Sequence, residues 1–134
     1  MLRDAPEAIH EVYVTEAYLE QQGQKQLLER VSYETVTDQV MKAMAETMEP
    51  QGILATVRIP QYDKKVLLEK KEAVWIALED LRDPGNLGTV LRTAEAAGVT
   101  GVLLSDSSVD MYNPKVVRST MGAIFRVPHF YLSD

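Results

Sequence analysis

The feature that most constrains the fold is an apolar hexapeptide, AVWIAL at residues 73–78, followed by a turn rich in glycine and proline. Acidic residues bound the hexapeptide, which fits a strand buried on both faces of a parallel sheet. A helical pattern follows the turn, and Gly98 ends it. The apolar face of that helix is formed by Leu87, Val90, Leu91 and Ala94. A second apolar run, GVLL at residues 101–104, completes a β-α-β unit.

A further helix is predicted beyond this unit. Asn113 and Pro114 supply an N-cap and a proline in the first turn, and the helix is expected to run to Met121, with Gly122 just past its end. Residues 125–132 are expected to hold a third strand. The second half of the chain is therefore predicted to be an α/β fold with a parallel sheet.

The first half alternates strand and helix signals. Strands are predicted at residues 9–14, 31–36 and 53–59, and helices between them at residues 15–28 and 37–48. Thr15 and Thr37 are the expected N-caps, and Gly23 weakens the first helix. A methionine stripe predicted to face the core is formed by Met41, Met44 and Met48.

These patterns predict two α/β parts joined by a short connection. Residues 1–60 form a small β-α-β-α-β lobe, and residues 73–134 form the part that begins with the buried strand. Residues 61–72 are rich in charge and carry no β pattern, so they are predicted to be a linker. The lysine pairs in this segment are expected to be a solvated helix face, with an RNA-contacting rim as the alternative.

Composition excludes several classes of function. The chain has no cysteine and two histidines, so a cysteine zinc site, a thiolate nucleophile and a histidine-rich metal site are all excluded. No apolar run approaches the roughly 20 residues that a membrane helix needs. With 14 Lys+Arg against 20 Asp+Glu, any RNA contact must come from a local basic cluster. We expect a cytoplasmic protein with no metal and no membrane partner.

The turn at residues 79–85 and the helix after it carry the candidate site. The turn lies at the carboxyl end of a buried strand, where open α/β sheets bind ligands. Arg92 lies about 40° from Gly88 around the helix, so its guanidinium can reach toward the turn. The alternative is that Asn86 is only an N-cap and Arg92 only a solvated side chain. Spacing alone does not decide between the two.

Two long segments resemble the SpoU (TrmH-like) RNA 2′-O-ribose methyltransferases of the SPOUT class. DPGNLGTVLRTA at residues 83–94, followed by AGV at residues 97–99, is similar to the first signature motif of that family. NPKVVRSTMGAIFRVP at residues 113–128 looks like its second stretch, at the expected separation. Residues 1–60 resemble more loosely the RNA-binding lobe that precedes many SpoU catalytic domains.

The resemblance implies methyl transfer from S-adenosylmethionine to a ribose 2′-hydroxyl of rRNA or tRNA, by in-line displacement at the sulfonium methyl. By position, Arg92 is the arginine beside the 2′-hydroxyl and Asn86 is the asparagine that helps to hold the site. A guanidinium stays protonated at neutral pH, so stabilisation of developing alkoxide charge is favoured over proton abstraction, which stays open. Lys115 and Arg118 share a helix face suited to RNA phosphates, and Arg126 extends that patch.

The family's later motifs, a Gly-x-Glu-x-Gly loop and a Ser-Leu-Asn run, do not occur in this sequence. We therefore expect the first half of a SPOUT domain, without the knot, that binds no S-adenosylmethionine by itself and is inactive alone. No residue of this chain is predicted to contact the cofactor. The resemblance also implies a homodimer.

Two further hypotheses belong to other classes. The chain is a non-catalytic module that binds structured RNA, or it is a phosphate- or nucleotide-binding domain that uses only the helix terminus near Asn86. Ser119 and Thr120 carry no predicted role beyond their helix, and His10 and His129 show no spacing for a metal or a catalytic pair.

Overall fold

The computed structural model describes residues 6–132, and the chain divides between Pro60 and Gln61 into two compact units. Unit 1 ends at Pro60 and unit 2 begins at Gln61. Both units are mixed α/β structures, as the sequence predicts.

Unit 1 contains a three-stranded mixed sheet with its helices in the connections. After a 3₁₀ turn at Pro6–Ala8, the elements follow in the order β1 (Ile9–Val14), α1 (Glu16–Glu20), α2 (Gln24–Leu28), β2 (Glu34–Thr35), α3 (Asp38–Met44) and β3 (Ile53–Val57). The strand order is β2-β1-β3. β1 pairs parallel with β2 and antiparallel with β3. The predicted alternation of strands and helices is confirmed, except that two short helices, α1 and α2, stand where one helix is predicted.

The predicted threonine caps begin two helices of unit 1. Thr15 Oγ1 accepts from the Tyr18 N–H at 3.3 Å, and Thr37 Oγ1 accepts from the Val40 N–H at 3.3 Å. Each hydroxyl thereby satisfies an amide that has no partner within the helix. The core of this unit is formed by Val12, Val14, Tyr18 and Leu28.

Three predictions for unit 1 are wrong in part. The helix predicted at residues 15–28 is interrupted, because Gly23 adopts a left-handed φ of 85° that a continuous helix does not allow. The strand predicted at residues 31–36 is only two residues long. The methionine stripe fails because α3 ends at Met44, so Met41 is buried whereas Met48 is 96% exposed.

Unit 2 contains a three-stranded sheet that is entirely parallel. Its elements are α4 (Lys64–Leu68), β4 (Trp75–Leu78), α5 (Pro84–Ala96), β5 (Gly101–Ser105), α6 (Pro114–Ser119), a 3₁₀ turn at Ala123–Phe125 and β6 (His129–Leu132). The strand order is β4-β5-β6, with both pairs parallel. The predicted α/β class with a parallel sheet is confirmed. The segment predicted as a linker holds α4, and the Tyr62 hydroxyl lies 3.5 Å from the Ile124 carbonyl oxygen within unit 2.

One core joins the sheet of unit 2 to its helices. The predicted apolar face of α5 is confirmed for Leu87, Leu91 and Ala94, which are fully buried, whereas Val90 is only half-buried. The three buried residues pack with Val102 and Leu104 of β5. Further members of this core are Met111, Val116, Ala123, Ile124 and Val127.

The prediction that the first strand of unit 2 is buried on both faces is wrong. Ile76 and Leu78 of β4 pack against the core, whereas Ala77 points to the other face and is exposed. Val74, just before the strand, is 59% exposed. β4 lies at an edge of the described sheet, and the buried central position belongs to β5. Within residues 6–132, no helix has the length and apolar character needed to cross a membrane.

Candidate functional site

The first turn of α5 is organised by Asp83. Its carboxylate oxygen Oδ1 accepts from the Asn86 N–H at 2.7 Å, and Pro84 occupies the start of the helix, where no amide donor is required. The interpretation of Asn86 as the N-cap is therefore wrong, because that position belongs to Asp83. Asn86 lies one turn inside the helix, is exposed, and keeps its side-chain amide free of the capping role.

Arg92 is held toward this same turn by a chain of hydrogen bonds. Its Nη2 donates to the Thr89 hydroxyl at 3.3 Å, and that hydroxyl donates to the Gly85 carbonyl at 3.0 Å. Helical side chains lean toward the N-terminus, so this path follows the natural direction of the arginine. The guanidinium is exposed and is drawn back along α5 in the direction of the turn that carries Asn86.

The loop that leads into α5 is held by hydrogen bonds to serine hydroxyls that were not predicted from the sequence. The Asp80 N–H donates to Ser105 Oγ at 2.9 Å, and the Leu81 N–H donates to Ser108 Oγ at 3.2 Å. Ser105 Oγ lies 2.8 Å from Ser107 Oγ and 3.1 Å from Ser108 Oγ. The signal was the SDSS run at residues 105–108, which begins with the last residue of β5, since the ends of neighbouring parallel strands meet at one edge.

Asp80 sits in a left-handed conformation within this loop, with φ of 50°. Its carboxylate accepts from Arg82 Nε at 2.8 Å, and this hydrogen bond lowers the pKa of Asp80. The strain of a non-glycine residue at positive φ is sustained by the contacts to the serines and to Arg82. The loop that precedes α5 is thus held by hydrogen bonds to the serines and to Arg82.

The helices α5 and α6 touch at Gly88 and Ser119. A Cβ atom on Gly88 would lie 2.0 Å from Ser119 Oγ, far inside van der Waals contact. The Ser119 hydroxyl also lies 2.9 Å from the Pro84 carbonyl oxygen, at the start of α5. Close approach of the two backbones is possible only because residue 88 is a glycine.

The two residues predicted to bind RNA phosphates lie on α6. Asn113 caps this helix, as predicted, by accepting from the Lys115 N–H at 2.9 Å. Lys115 and Arg118 are both exposed and are three residues apart, so they share one face of the helix. Val116 between them is fully buried and fixes which face points outward.

Arg126 is placed differently from these two residues. Its Nη2 donates to Glu95 Oε2 at 3.1 Å, and Arg126 Nε pairs with the other oxygen of the same carboxylate. This pairing lowers the pKa of Glu95. Glu95 lies nine residues after Asn86, which is about 14 Å along a helix axis. The ion pair therefore stands near the far end of α5 from Asn86.

His129 belongs to the interior of unit 2. Its Nδ1–H donates to the Val127 carbonyl at 3.0 Å, which leaves Nε2 to accept from the Tyr112 hydroxyl at 2.9 Å. Burial lowers the pKa of His129 and raises that of Tyr112. Across the described part of the chain, no cluster of His, Cys, Asp and Glu is arranged to hold a metal.

A groove of about 640 Å³ in unit 1 lies at the ends of β1 and β2. Three of its lining residues, Glu16, Glu20 and Asp38, are acidic, and threonines supply much of the rest. Such a surface repels RNA phosphates. The groove is therefore a poor candidate for the RNA-contacting surface of this unit.

Among the described residues of unit 2, no buried side-chain polar atom is left without a partner that S-adenosylmethionine could supply. At the carboxyl edge of β4 and β5, the hydroxyls of Ser105 and Ser108 already accept from the loop backbone. Ser107 contacts Ser105 in turn. Among the described residues, the buried side-chain polar atom without a partner is Gln24 Oε1, which belongs to unit 1. We assign no cofactor contact to this chain.

Comparison with known proteins identifies the class. Residues 73–134 match the SpoU rRNA methylase family, and residues 1–63 match the family described as RNA 2′-O ribose methyltransferase substrate binding. The chain belongs to the SpoU methyltransferase family, which confirms the resemblance seen in the two motifs.

Relatives and solved structures agree with this assignment. An uncharacterized tRNA/rRNA methyltransferase of Synechocystis is 41% identical over 99 residues, covering 74% of this chain and 35% of that protein. The 23S rRNA (guanosine(2553)-2′-O)-methyltransferase RlmP of Bacillus subtilis is 37% identical, covering 69% and 36%. The AdoMet-bound rRNA methyltransferase of Sinorhizobium meliloti superposes with a TM-score of 0.73 at 28% identity, covering 98% of this chain and 51% of that one. The chain thus spans about a third of these curated relatives and half of the solved one.

Proposed function

We propose that this chain forms the RNA-facing part of an RNA 2′-O-ribose methyltransferase. The observation that carries the proposal is the hydrogen-bond chain from Arg92 through Thr89 to Gly85, which draws the guanidinium back toward the turn that bears Asn86. Both residues lie in the stretch that matches the SpoU rRNA methylase family. They are the residues we assign to the reacting ribose.

Arg92 acts on the ribose oxygen by charge. A 2′-hydroxyl becomes a nucleophile as it gives up its proton to solvent water, and negative charge then develops on the oxygen. A guanidinium that donates hydrogen bonds to this oxygen stabilises the charge, because its donors are already oriented when the substrate arrives. Asn86 holds the ribose through its exposed amide, which can both donate and accept. The methyl donor is S-adenosylmethionine, as the AdoMet-bound relative suggests.

The RNA backbone is bound mainly by Lys115 and Arg118. Both cations are exposed on one face of α6, and each neutralises a phosphate without reading sequence. Arg126 contributes less, because Glu95 already holds its guanidinium. The substrate is rRNA rather than tRNA, in line with the relatives from Bacillus subtilis and Sinorhizobium meliloti.

We assign RNA binding to the first unit and methyl transfer to the second. Residues 1–60 bind structured RNA, as the match to a substrate-binding family supports. Residues 61–72 connect this lobe to the methyltransferase part at residues 73–134. We also propose a homodimer in the cytoplasm, with the catalytic activity belonging to a dimer rather than to this chain alone.

A second function, RNA binding without catalysis, is favoured by one observation. The serine hydroxyls at the sheet edge are engaged with one another and with the loop backbone, and we assign none of them to the cofactor. The chain on its own is therefore expected to bind RNA and to transfer no methyl group.

The test uses a 23S rRNA transcript as the probe. Binding of this chain is measured by filter retention, with a tRNA transcript and a mononucleotide as competitors. Methyl transfer is measured with tritiated S-adenosylmethionine, for this chain and for the full-length product of its gene. A 2′-O-methyl group makes the adjacent phosphodiester resistant to alkali, so tritium must appear in alkali-resistant dinucleotides. Label in bases, or binding that the mononucleotide abolishes, contradicts the proposal.

A further inference from the structure

Ser119 makes a hydrogen bond that reaches from α6 to the start of α5. Its hydroxyl lies 2.9 Å from the Pro84 carbonyl oxygen and 2.8 Å from the Val116 carbonyl oxygen. A serine hydroxyl has one proton, so the two carbonyls share it. The bond to Pro84 spans 35 residues of sequence and ties the first turn of one helix to the last turn of another.

The same point of contact is sterically tight. A Cβ atom on Gly88 would lie 2.0 Å from Ser119 Oγ, 2.5 Å from Ser119 Cβ and 2.6 Å from the Ser119 carbonyl carbon. The last of these atoms is backbone and cannot rotate away. The helices are therefore held together by a hydrogen bond at Pro84 and by close approach at Gly88, one turn later.

This contact lies between the two groups of residues proposed to act on RNA. Pro84, Gly88 and Arg92 follow one another at intervals of four residues, so they form one row along α5. On the other helix, Arg118 directly precedes Ser119. Any tilt of α5 against α6 moves Arg92 relative to Arg118, and the contact at Ser119 restricts that tilt.

We propose that Ser119 is a positioning residue that sets the placement of Arg92 against the RNA-binding face of α6. The inference rests on the proposed function. The hydroxyl contributes through Pro84 and α5, and does not itself touch the reacting atoms. We expect Ser119→Ala to keep the fold, because Ser119 is not a member of the apolar core of unit 2.

Thr120 provides a matched control on the same helix. Its hydroxyl donates to the Val117 carbonyl at 2.8 Å, which is a bond within α6 only. Ser119→Ala and Thr120→Val each remove one hydroxyl that binds the carbonyl three residues earlier. Only the first of them removes a bond between the helices.

The first measurement is amide hydrogen exchange in this chain at residues 87–89. We expect Ser119→Ala to speed exchange there about tenfold, and to leave residues 94–97 unchanged. Thr120→Val is expected to change neither region. Equal exchange in the two variants overturns the proposal.

The second measurement separates kcat from KM for methyl transfer to the 23S rRNA transcript by the gene product. We expect Ser119→Ala to lower kcat about tenfold, with the KM for RNA within about threefold of wild type, since alignment rather than affinity is lost. An unchanged kcat, or a loss confined to KM, overturns the positioning role. A wild type that transfers no methyl group overturns the proposed function instead, and the exchange rates then decide the helix contact by themselves.

Discussion

Arg126 Nη2 lies 3.1 Å from Glu95 Oε2, so a cation predicted to bind RNA is already paired with a carboxylate of α5. The Arg118 side chain lies on the exposed face of α6 instead. A guanidinium held by a carboxylate gains less from a phosphate, because the existing pair must be broken or shared.

Arg126→Ala is therefore expected to weaken binding of the 23S rRNA transcript by about twofold or less, and Arg118→Ala by about fivefold. Filter binding at fixed salt measures both. A larger loss for Arg126→Ala than for Arg118→Ala contradicts the placement of the RNA-binding face on α6.

The double variant Lys115→Ala/Arg118→Ala tests that face through its salt dependence. Each phosphate contact contributes to the slope of log binding constant against log salt, so the slope is expected to fall by about 1.5. Lys70→Ala/Lys71→Ala removes the same charge from the segment proposed as a connection, and is the control. Equal changes in slope for the two double variants would show that only net charge matters.

Gly101→Ala tests the packing of the sheet in unit 2. A Cβ atom there would lie 2.5 Å from Trp75 Cζ3 and 2.7 Å from the Pro128 carbonyl oxygen, which is backbone. Overpacking of this kind is expected to lower the free energy of unfolding by about 2 kcal/mol. Gly85→Ala, where the nearest atom is the Asp83 carboxylate at 3.2 Å, is expected to change it by about 0.5 kcal/mol or less. Urea titration measures the free energy of unfolding of the two variants. Equal losses would mean that the Trp75 ring does not occupy the space beside Gly101.

His129 makes the stability of the chain depend on pH. Burial lowers its pKa in the folded state, so the unfolded chain binds more protons near the ordinary value of 6.5. The stabilisation of the fold by the neutral imidazole ring is complete above pH 6.5 and is lost as the pH falls below that value. The midpoint temperature of thermal unfolding is therefore expected to decrease as the pH is lowered from 7 to 5.

His129→Gln removes this titration, so its midpoint is expected to fall less steeply with pH than that of wild type. His10→Gln is the control, since His10 is exposed on β1. If the thermal midpoint falls equally steeply with pH in wild type and in His129→Gln, other titrating groups cause the pH dependence.

Local signals in the sequence predicted much of the fold. The caps at Thr15, Thr37 and Asn113 are correct because a cap depends on residues within one turn. The apolar face of α5 is correct because its period repeats over the length of the helix. The motif that carries Asn86 and Arg92 was recognised as a continuous string.

Tertiary relationships account for what was not predicted. The exposure of Ala77 depends on which sheet face the helices cover, and no property of the strand itself specifies it. The bond from Ser119 to Pro84 joins two helices that are distant in sequence, and spacing within α6 gives no sign of it. Asp83 replaced Asn86 as the N-cap because two candidates lie within three residues, and the proline at position 84 decides between them.

The central claim is that the Arg92 guanidinium acts on the ribose hydroxyl. The most direct test is the rate of 2′-O-methylation of the 23S rRNA transcript by the gene product carrying Arg92→Ala or Arg92→Lys, with Lys70→Ala as the control. Both Arg92 variants are expected to lose activity about 100-fold or more, with RNA binding within about threefold of wild type. Activity above half of wild type in Arg92→Ala, with the same RNA affinity, would contradict the claim.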